Sequence, residues 1–74
     1  MKLIPLSGRE MCKFVEKLGF ERIRQAGNHV RYAHPDGRKT TIPMHSNETL
    51  GKGLFLEILK QIEITREEYE RLRK

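Results

Sequence analysis

One histidine lies where a tight turn leads into a strand, and arginines surround it in the sequence. His29 follows Gly27-Asn28, a pair of residues typical of a two-residue hairpin turn. An imidazole exchanges a proton near neutral pH, and fixed cations beside it stabilise negative charge as it develops. Cleavage of a phosphodiester bond in RNA needs both. His29 is therefore a candidate for chemistry, and the alternative is an exposed strand residue without a function.

The positive charge of the chain is concentrated around this histidine. The net charge is +5, and most of it falls between Arg22 and Lys39, where Asp36 is the only acid. The basic residues of that segment are Arg22, Arg24, Arg31, Arg38 and Lys39. Such an excess favours an anionic partner, most simply nucleic acid. An ordinary solvated basic surface is the competing explanation.

Length and composition limit the kinds of site that the chain can build. Its 74 residues predict one small domain over 1–74, which buries only about 60% of its extended surface. A surface site without a large cofactor is therefore expected. Cys12 is the only cysteine, so no internal disulfide forms, and no cysteine–histidine grouping has zinc-ligand spacing. We expect neither a metal nor a cofactor.

The chain shows no targeting or membrane signal. Met1–Pro5 lacks the apolar core of a signal peptide. No segment approaches the roughly 20 apolar residues needed to cross a bilayer. A soluble, cytoplasmic protein with no membrane partner is expected.

Two capping boxes mark the starts of predicted helices. In Ser7–Glu10 and in Thr65–Glu68, a hydroxyl residue precedes a glutamate by three positions, so the two side chains can cap the first helical turn reciprocally. The predicted helices cover Gly8–Leu18, Leu54–Gln61 and a final short helix to about Leu72. A polar loop over Pro43–Gly53 precedes the second helix.

Three short strands separate the first two helices. They are predicted over Glu21–Ala26, His29–His34 and Lys39–Ile42. Because tight turns join them, the strands form an antiparallel meander. The order α-β-β-β-α, with an extra short C-terminal helix, predicts an α+β fold of two layers in which the helices cover one face of the sheet.

The period of two along each strand assigns side chains to the two faces of this sheet. The residues expected to face the helices are Ile23, Val30, Tyr32 and Ile42. The opposite face then carries Arg22, Arg24, His29, Arg31, Lys39 and Thr41. A slip of one residue in the pairing would reverse the assignment.

Several segments also follow one another in a characteristic order along nearly the whole chain. They are Leu6-Ser7-Gly8-Arg9-Glu10, Leu18-Gly19-Phe20, Arg24-Gln25-Ala26-Gly27-Asn28-His29, His34-Pro35-Asp36-Gly37-Arg38, Ile42-Pro43-Met44-His45 and Gly53-Leu54-Phe55. In order and spacing they resemble the HicA (YcfA-like) family of toxin ribonucleases from HicAB toxin–antitoxin modules. Asn28 stands where serine is commoner in that family, and Leu54 stands where threonine is usual.

The resemblance implies a fold like the double-stranded-RNA-binding domain and a toxin that cleaves mRNA without the ribosome. A HicB-like antitoxin would hold the toxin inactive, and oligomers would form only through that antitoxin. The catalytic histidine of the family falls on His29, which would act as general base on the RNA 2′-OH without a metal ion. The residues expected to bind RNA are Arg22, Arg24, Asn28, Arg31 and Lys39.

This scheme leaves the general acid open. His45 is the preferred auxiliary residue, ahead of His34, and water is the third possibility. Two non-catalytic functions compete with the nuclease: an RNA-binding module of the same fold, and a protein-interaction module whose cationic face docks an acidic partner. RNA binding at low salt separates the last of these from the other two.

Overall fold

A computed structural model describes residues 3–44 and 48–73 and has the predicted order of elements. The elements are α1 (Gly8–Lys17), β1 (Glu21–Ala26), β2 (His29–Ala33), β3 (Lys39–Pro43), α2 (Lys52–Gln61) and α3 (Arg66–Leu72). The α+β layout is confirmed. The boundaries differ slightly, since α2 begins two residues before Leu54 and β3 includes Pro43. In the described part of the chain, no helix is both long and apolar enough to cross a membrane.

Both predicted capping boxes are present. The Ser7 hydroxyl accepts from the Glu10 amide at 3.1 Å, and the Glu10 carboxylate accepts from the Ser7 amide at 3.0 Å. Thr65 and Glu68 make the same pair of hydrogen bonds at 3.1 and 2.9 Å. The starts of α1 and α3 are therefore set by residues within their own first turns.

The ends of α1 and α2 share one backbone motif. After α1, Gly19 has φ 101°, and the Phe20 amide donates to the Val15 carbonyl at 3.0 Å. After α2, Glu63 has φ 58°, and the Ile64 amide donates to the Leu59 carbonyl at 3.0 Å. This left-handed residue with a bond back to the last turn is the Schellman motif. Glycine fits it without strain, whereas glutamate does not.

The sheet is an antiparallel meander of order β1-β2-β3. The turn between β1 and β2 has its positive φ at Gly27 (59°) and not at Asn28, the pattern of a type II′ turn. In the resulting register, His29 pairs with Ala26 of β1 and with Pro43 of β3. The middle strand therefore begins at the histidine.

One apolar core lies between the sheet and the helices. Val30, Tyr32 and Ile42 are fully buried, so the predicted inner face of β2 and β3 is confirmed. The helices contribute Met11, Phe14, Val15, Phe55, Ile58, Leu59 and Tyr69 to the same cluster. Because the helices cover this face, the opposite face of the sheet stays open. By the register, the open face carries Glu21, Arg24, Ala26, His29, Arg31, Ala33, Lys39, Thr41 and Pro43.

The predicted face assignment is wrong at two positions of β1. A β-bulge lies between Arg22 and Arg24, and Ile23 has no partner in β2. Because the extra residue shifts the alternation, Ile23 is 56% exposed instead of joining the core. Arg22 is turned to the helix side, where it pairs with Tyr32. Its guanidinium donates to the Tyr32 hydroxyl at 3.3 Å and lies 3.5 Å from the Glu16 carboxylate.

Candidate functional site

A shallow groove on the open face contains the candidate histidine. It has a volume of about 300 Å³ and is lined by Arg24, Ala26, His29, Arg31 and Thr41. All three strands contribute to it, although these residues lie as many as 17 positions apart in the sequence. We call this the first groove. It combines one imidazole, two guanidinium groups and one hydroxyl on a solvent-facing surface.

The register arranges these side chains in two rows across the sheet. His29 lies in one row between Ala26 and Pro43, and Arg31 lies in the next row between Arg24 and Thr41. Rows two residues apart along a strand are about 7 Å from each other. Small or apolar side chains therefore flank the imidazole, while the cations and the hydroxyl stand one row away. The imidazole and both guanidinium groups therefore line the same groove from adjacent rows.

Backbone bonds at the β1–β2 turn hold this end of the sheet together. The Asn28 carbonyl accepts from the Met44 amide at 2.5 Å, which ties the turn to the chain leaving β3. The Gln25 side-chain amide donates to the Gly27 carbonyl at 3.0 Å. Asn28 itself is exposed and lies beside the first groove without lining it.

The opposite face of β2 is anchored to α1. The Tyr32 hydroxyl donates to the Glu16 carboxylate, and the Arg22 guanidinium contacts both of these groups. Burial raises the pKa of the Tyr32 hydroxyl, and the hydrogen bond to Glu16 raises it further. Burial also raises the pKa of the nearby Cys12 thiol. Both groups therefore stay protonated near neutral pH, so this cluster serves to hold the strand that carries His29.

The structure brings together only part of the predicted site. Arg24, His29 and Arg31 line one groove, and Lys39 lies farther along the same open face. Arg22 does not share that face, because the bulge directs it toward Glu16. His45 lies outside the described residues. Thr41 also lines the first groove, on the face that the period of two predicts, although it is not among the residues expected to bind RNA.

His34 lies at the far end of β2 from His29, in the turn before β3. Its ring packs edge-on against Phe20, with centroids 5.1 Å apart, and its Nδ1 is 3.0 Å from the Asp36 carboxylate. The Arg38 amide and guanidinium bind the same carboxylate, and these contacts lower the pKa of Asp36. His34 thus belongs to a structural turn and does not meet the first groove.

No group of three or more metal-ligating side chains occurs within residues 3–44 and 48–73. The lining residues of the first groove offer a ligand the donors of two guanidinium groups, one hydroxyl and one imidazole. Donors of this kind, with positive charge on an open sheet face, suit a phosphate-containing partner.

A comparison with protein families covers all the elements that form the first groove. The model of the family described as HicA toxin of bacterial toxin-antitoxin matches residues 8–64. The match spans α1, the sheet and α2, and so includes every residue of the first groove. No curated protein matches the chain at a significant level. Because the family match covers more than half of the sequence, the chain belongs to the HicA toxin family of bacterial toxin–antitoxin systems.

Proposed function

We propose that this toxin is a ribosome-independent mRNA endoribonuclease in which His29 is the general base. The observation that carries the proposal is the first groove, where one imidazole stands a row away from Arg24 and Arg31 on a face that the helices leave open. Such a site can accept a bound phosphodiester and a proton at the same place.

The reaction uses an internal nucleophile of the substrate. His29 in its neutral form takes the proton of the ribose 2′-OH, and the 2′-oxygen attacks the adjacent phosphorus. The bond from phosphorus to the 5′-oxygen breaks, and that oxygen takes a proton from water. The products are a 2′,3′-cyclic phosphate and a free 5′-OH, and the imidazolium returns its proton to solvent. The scheme uses no metal ion.

The guanidinium groups account for the electrostatic part of the catalysis. Negative charge builds on the non-bridging oxygens as the pentacoordinate phosphorus forms, and Arg24 and Arg31 stabilise it with charged hydrogen bonds. Lys39 and the exposed turn residue Asn28 contact the RNA beyond the scissile phosphate. His45 is the protein residue proposed as an auxiliary acid in place of water.

The same open face is the surface through which we propose that an antitoxin inhibits the toxin. A HicB-like partner that presents carboxylates to the open face would neutralise Arg24, Arg31 and Lys39 and exclude RNA. The antitoxin is then the proposed protein partner, and larger assemblies form through it.

A second function on the same face is RNA binding without cleavage. It is favoured by one observation: among the described residues that line the first groove, no second acid or base accompanies His29. A binding module would need the cations but not the imidazole.

Variants of two histidines separate these functions. His29→Ala and His29→Gln should lower the cleavage rate of single-stranded RNA by at least about 100-fold, the typical contribution of a general base. Their affinity for non-cleavable 2′-O-methyl RNA should stay close to that of the original protein. His34→Gln is the matched control, since it removes a histidine from the far end of β2, and it should retain cleavage.

The identity of the products tests the mechanism itself. Mass spectrometry should find 2′,3′-cyclic phosphate ends, and a single 2′-deoxy substitution at the cleaved position should stop the reaction there. Cleavage by His29→Ala at the original rate would contradict the proposal. Tight RNA binding without cleavage by the unaltered protein would establish the binding module instead.

A further inference from the structure

A second groove adjoins the first at the edge of the sheet formed by β3. It has a volume of about 410 Å³ and is lined by Arg31, Lys39, Thr40, Thr41, Leu54 and Gln61. Arg31 and Thr41 line both grooves and therefore form the boundary between them. The second groove leads from the open face over the edge strand β3 to the side of α2 that carries Leu54 and Gln61, so the two grooves make one continuous path.

The two sides of the second groove differ in chemistry. Arg31 and Lys39 give the sheet side its positive charge. On the α2 side, Leu54 presents an apolar side chain that is 42% exposed. The carboxylate of Glu57 is hydrogen-bonded to Gln61 at 3.5 Å, so the α2 side also carries negative charge. A phosphate is attracted to the sheet side and repelled from the helix side.

Gln61 lines the α2 side of the second groove, and both ends of its side-chain amide form hydrogen bonds. Its carbonyl oxygen accepts from the buried Thr40 hydroxyl at 2.7 Å, and its amide nitrogen donates to Glu57. These two bonds fix the orientation of the amide, and each end keeps one further hydrogen-bonding site. Leu54 adds an apolar surface for the face of a nucleobase, and such contact discriminates little between bases.

From this arrangement we infer that the substrate is single-stranded RNA that runs through both grooves. The scissile phosphate lies at His29, the chain crosses the boundary at Arg31 and Thr41, and the nucleotide about two positions farther along lies in the second groove. There its phosphate binds Lys39 and the face of its base packs on Leu54. The inference rests on the proposed function, because the first groove must bind the scissile phosphate.

The dimensions of the sheet support a path longer than one nucleotide. His29, Arg31 and the pair Ala33–Lys39 occupy three successive rows. The row spacing makes the distance from His29 to Lys39 about 14 Å along the strand direction. An apolar side chain can cover the face of a base only where that face is unpaired and unstacked, which selects single-stranded over duplex RNA.

The test compares two lengths of 2′-O-methyl oligouridylate, which bind without being cleaved. Methyl and amide NMR signals report the two grooves separately. A dinucleotide should shift the signals of Ala26 and His29 only, and a hexanucleotide should shift the Leu54 methyl groups as well. Leu54→Ala should weaken hexanucleotide binding about fivefold and leave dinucleotide binding unchanged.

A neighbouring leucine supplies the control. Leu56 lies on the same helix with 37% exposure and lines neither groove, so Leu56→Ala should leave both affinities unchanged. If Leu54→Ala leaves hexanucleotide affinity unchanged while Ala26 and His29 still respond, the inference is wrong and the proposed function stands. If duplex RNA shifts the Leu54 methyl groups as strongly as single-stranded RNA, the inference is also wrong. If neither oligonucleotide shifts Ala26 or His29, the proposed function fails together with it.

Discussion

Gly8, the first residue of α1, lies directly against Pro43, the last residue of β3. A Cβ atom on Gly8 would stand 2.1 Å from the Pro43 carbonyl oxygen, so the close approach of helix and strand requires the missing side chain. Pro43 is also the cross-strand partner of His29. The end of the sheet that carries the candidate base is therefore fixed in position by the start of α1.

Gly8→Ala should destabilise the protein by about 2 kcal/mol, because a methyl group meets backbone that cannot rotate away. Urea unfolding followed by circular dichroism measures the change. Gly53→Ala is the matched control in the first turn of α2, where a Cβ meets no atom within 4 Å. It should stabilise the protein by about 0.5–1 kcal/mol. Equal effects of the two variants would show that the approach of Gly8 to Pro43 is not tight.

Arg31→Gln and Arg22→Gln should affect RNA binding differently, although each removes one positive charge. Arg31 lines the first groove, so its loss should reduce the slope of log affinity against log salt concentration by about 0.7 for single-stranded RNA. Arg22 contacts Glu16 and Tyr32 on the helix side, so its loss should leave that slope nearly unchanged. Titration of 2′-O-methyl RNA at several salt concentrations measures both. A larger change with Arg22→Gln would reject the face assignment that the bulge implies.

Glu63→Gly should stabilise the protein by about 1 kcal/mol. Glu63 has a left-handed backbone at the end of α2, a conformation that costs an ordinary residue about that much and glycine little. Gly19→Ala is the reciprocal change at the end of α1, and it should destabilise the protein. Thermal unfolding of both variants provides the measurement, and a loss of stability with Glu63→Gly would show that the glutamate side chain contributes a contact of its own.

The two capping boxes should make stability fall in acid. The hydrogen bond from the Ser7 amide lowers the pKa of Glu10, and the bond from the Thr65 amide lowers the pKa of Glu68, both from the ordinary value of 4.5. Because the folded-state pKa is the lower one, the stabilisation is fully present above about pH 4.5. It is lost as pH falls through the folded-state values. Unfolding by urea at a series of pH values between neutral and acid follows this loss.

Glu10→Gln should flatten part of that pH dependence, since the amide cannot be protonated in this range. Glu67→Gln, which leaves both capping boxes intact, is the control and should keep the decline in acid. An unchanged acid dependence in Glu10→Gln would contradict a contribution from the Ser7–Glu10 box.

The parts of the structure that were predictable depend on neighbours in the sequence. The capping boxes bring together residues three apart, and the Gly27-Asn28 turn sets where β2 begins. Alternation then assigns Val30, Tyr32 and Ile42 to the core, because β2 and β3 pair without interruption. His29 and Arg31 were placed on the open face by the same alternation.

Contacts between distant segments decided the features that the sequence did not predict. No local signal shows that Ile23 is the extra residue of a bulge, since the bulge brings Arg22 to Glu16 and Tyr32, which lie on other elements. Likewise, the second groove exists because α2 packs beside β3, so that Leu54 and Lys39 line opposite sides of one groove. The sequence by itself determined which elements form and which face of β2 carries His29, through hydrogen bonds and alternation of short range. The packing of the helices on the sheet decided which other side chains meet that histidine, because burial of apolar surface acts between residues far apart in the chain.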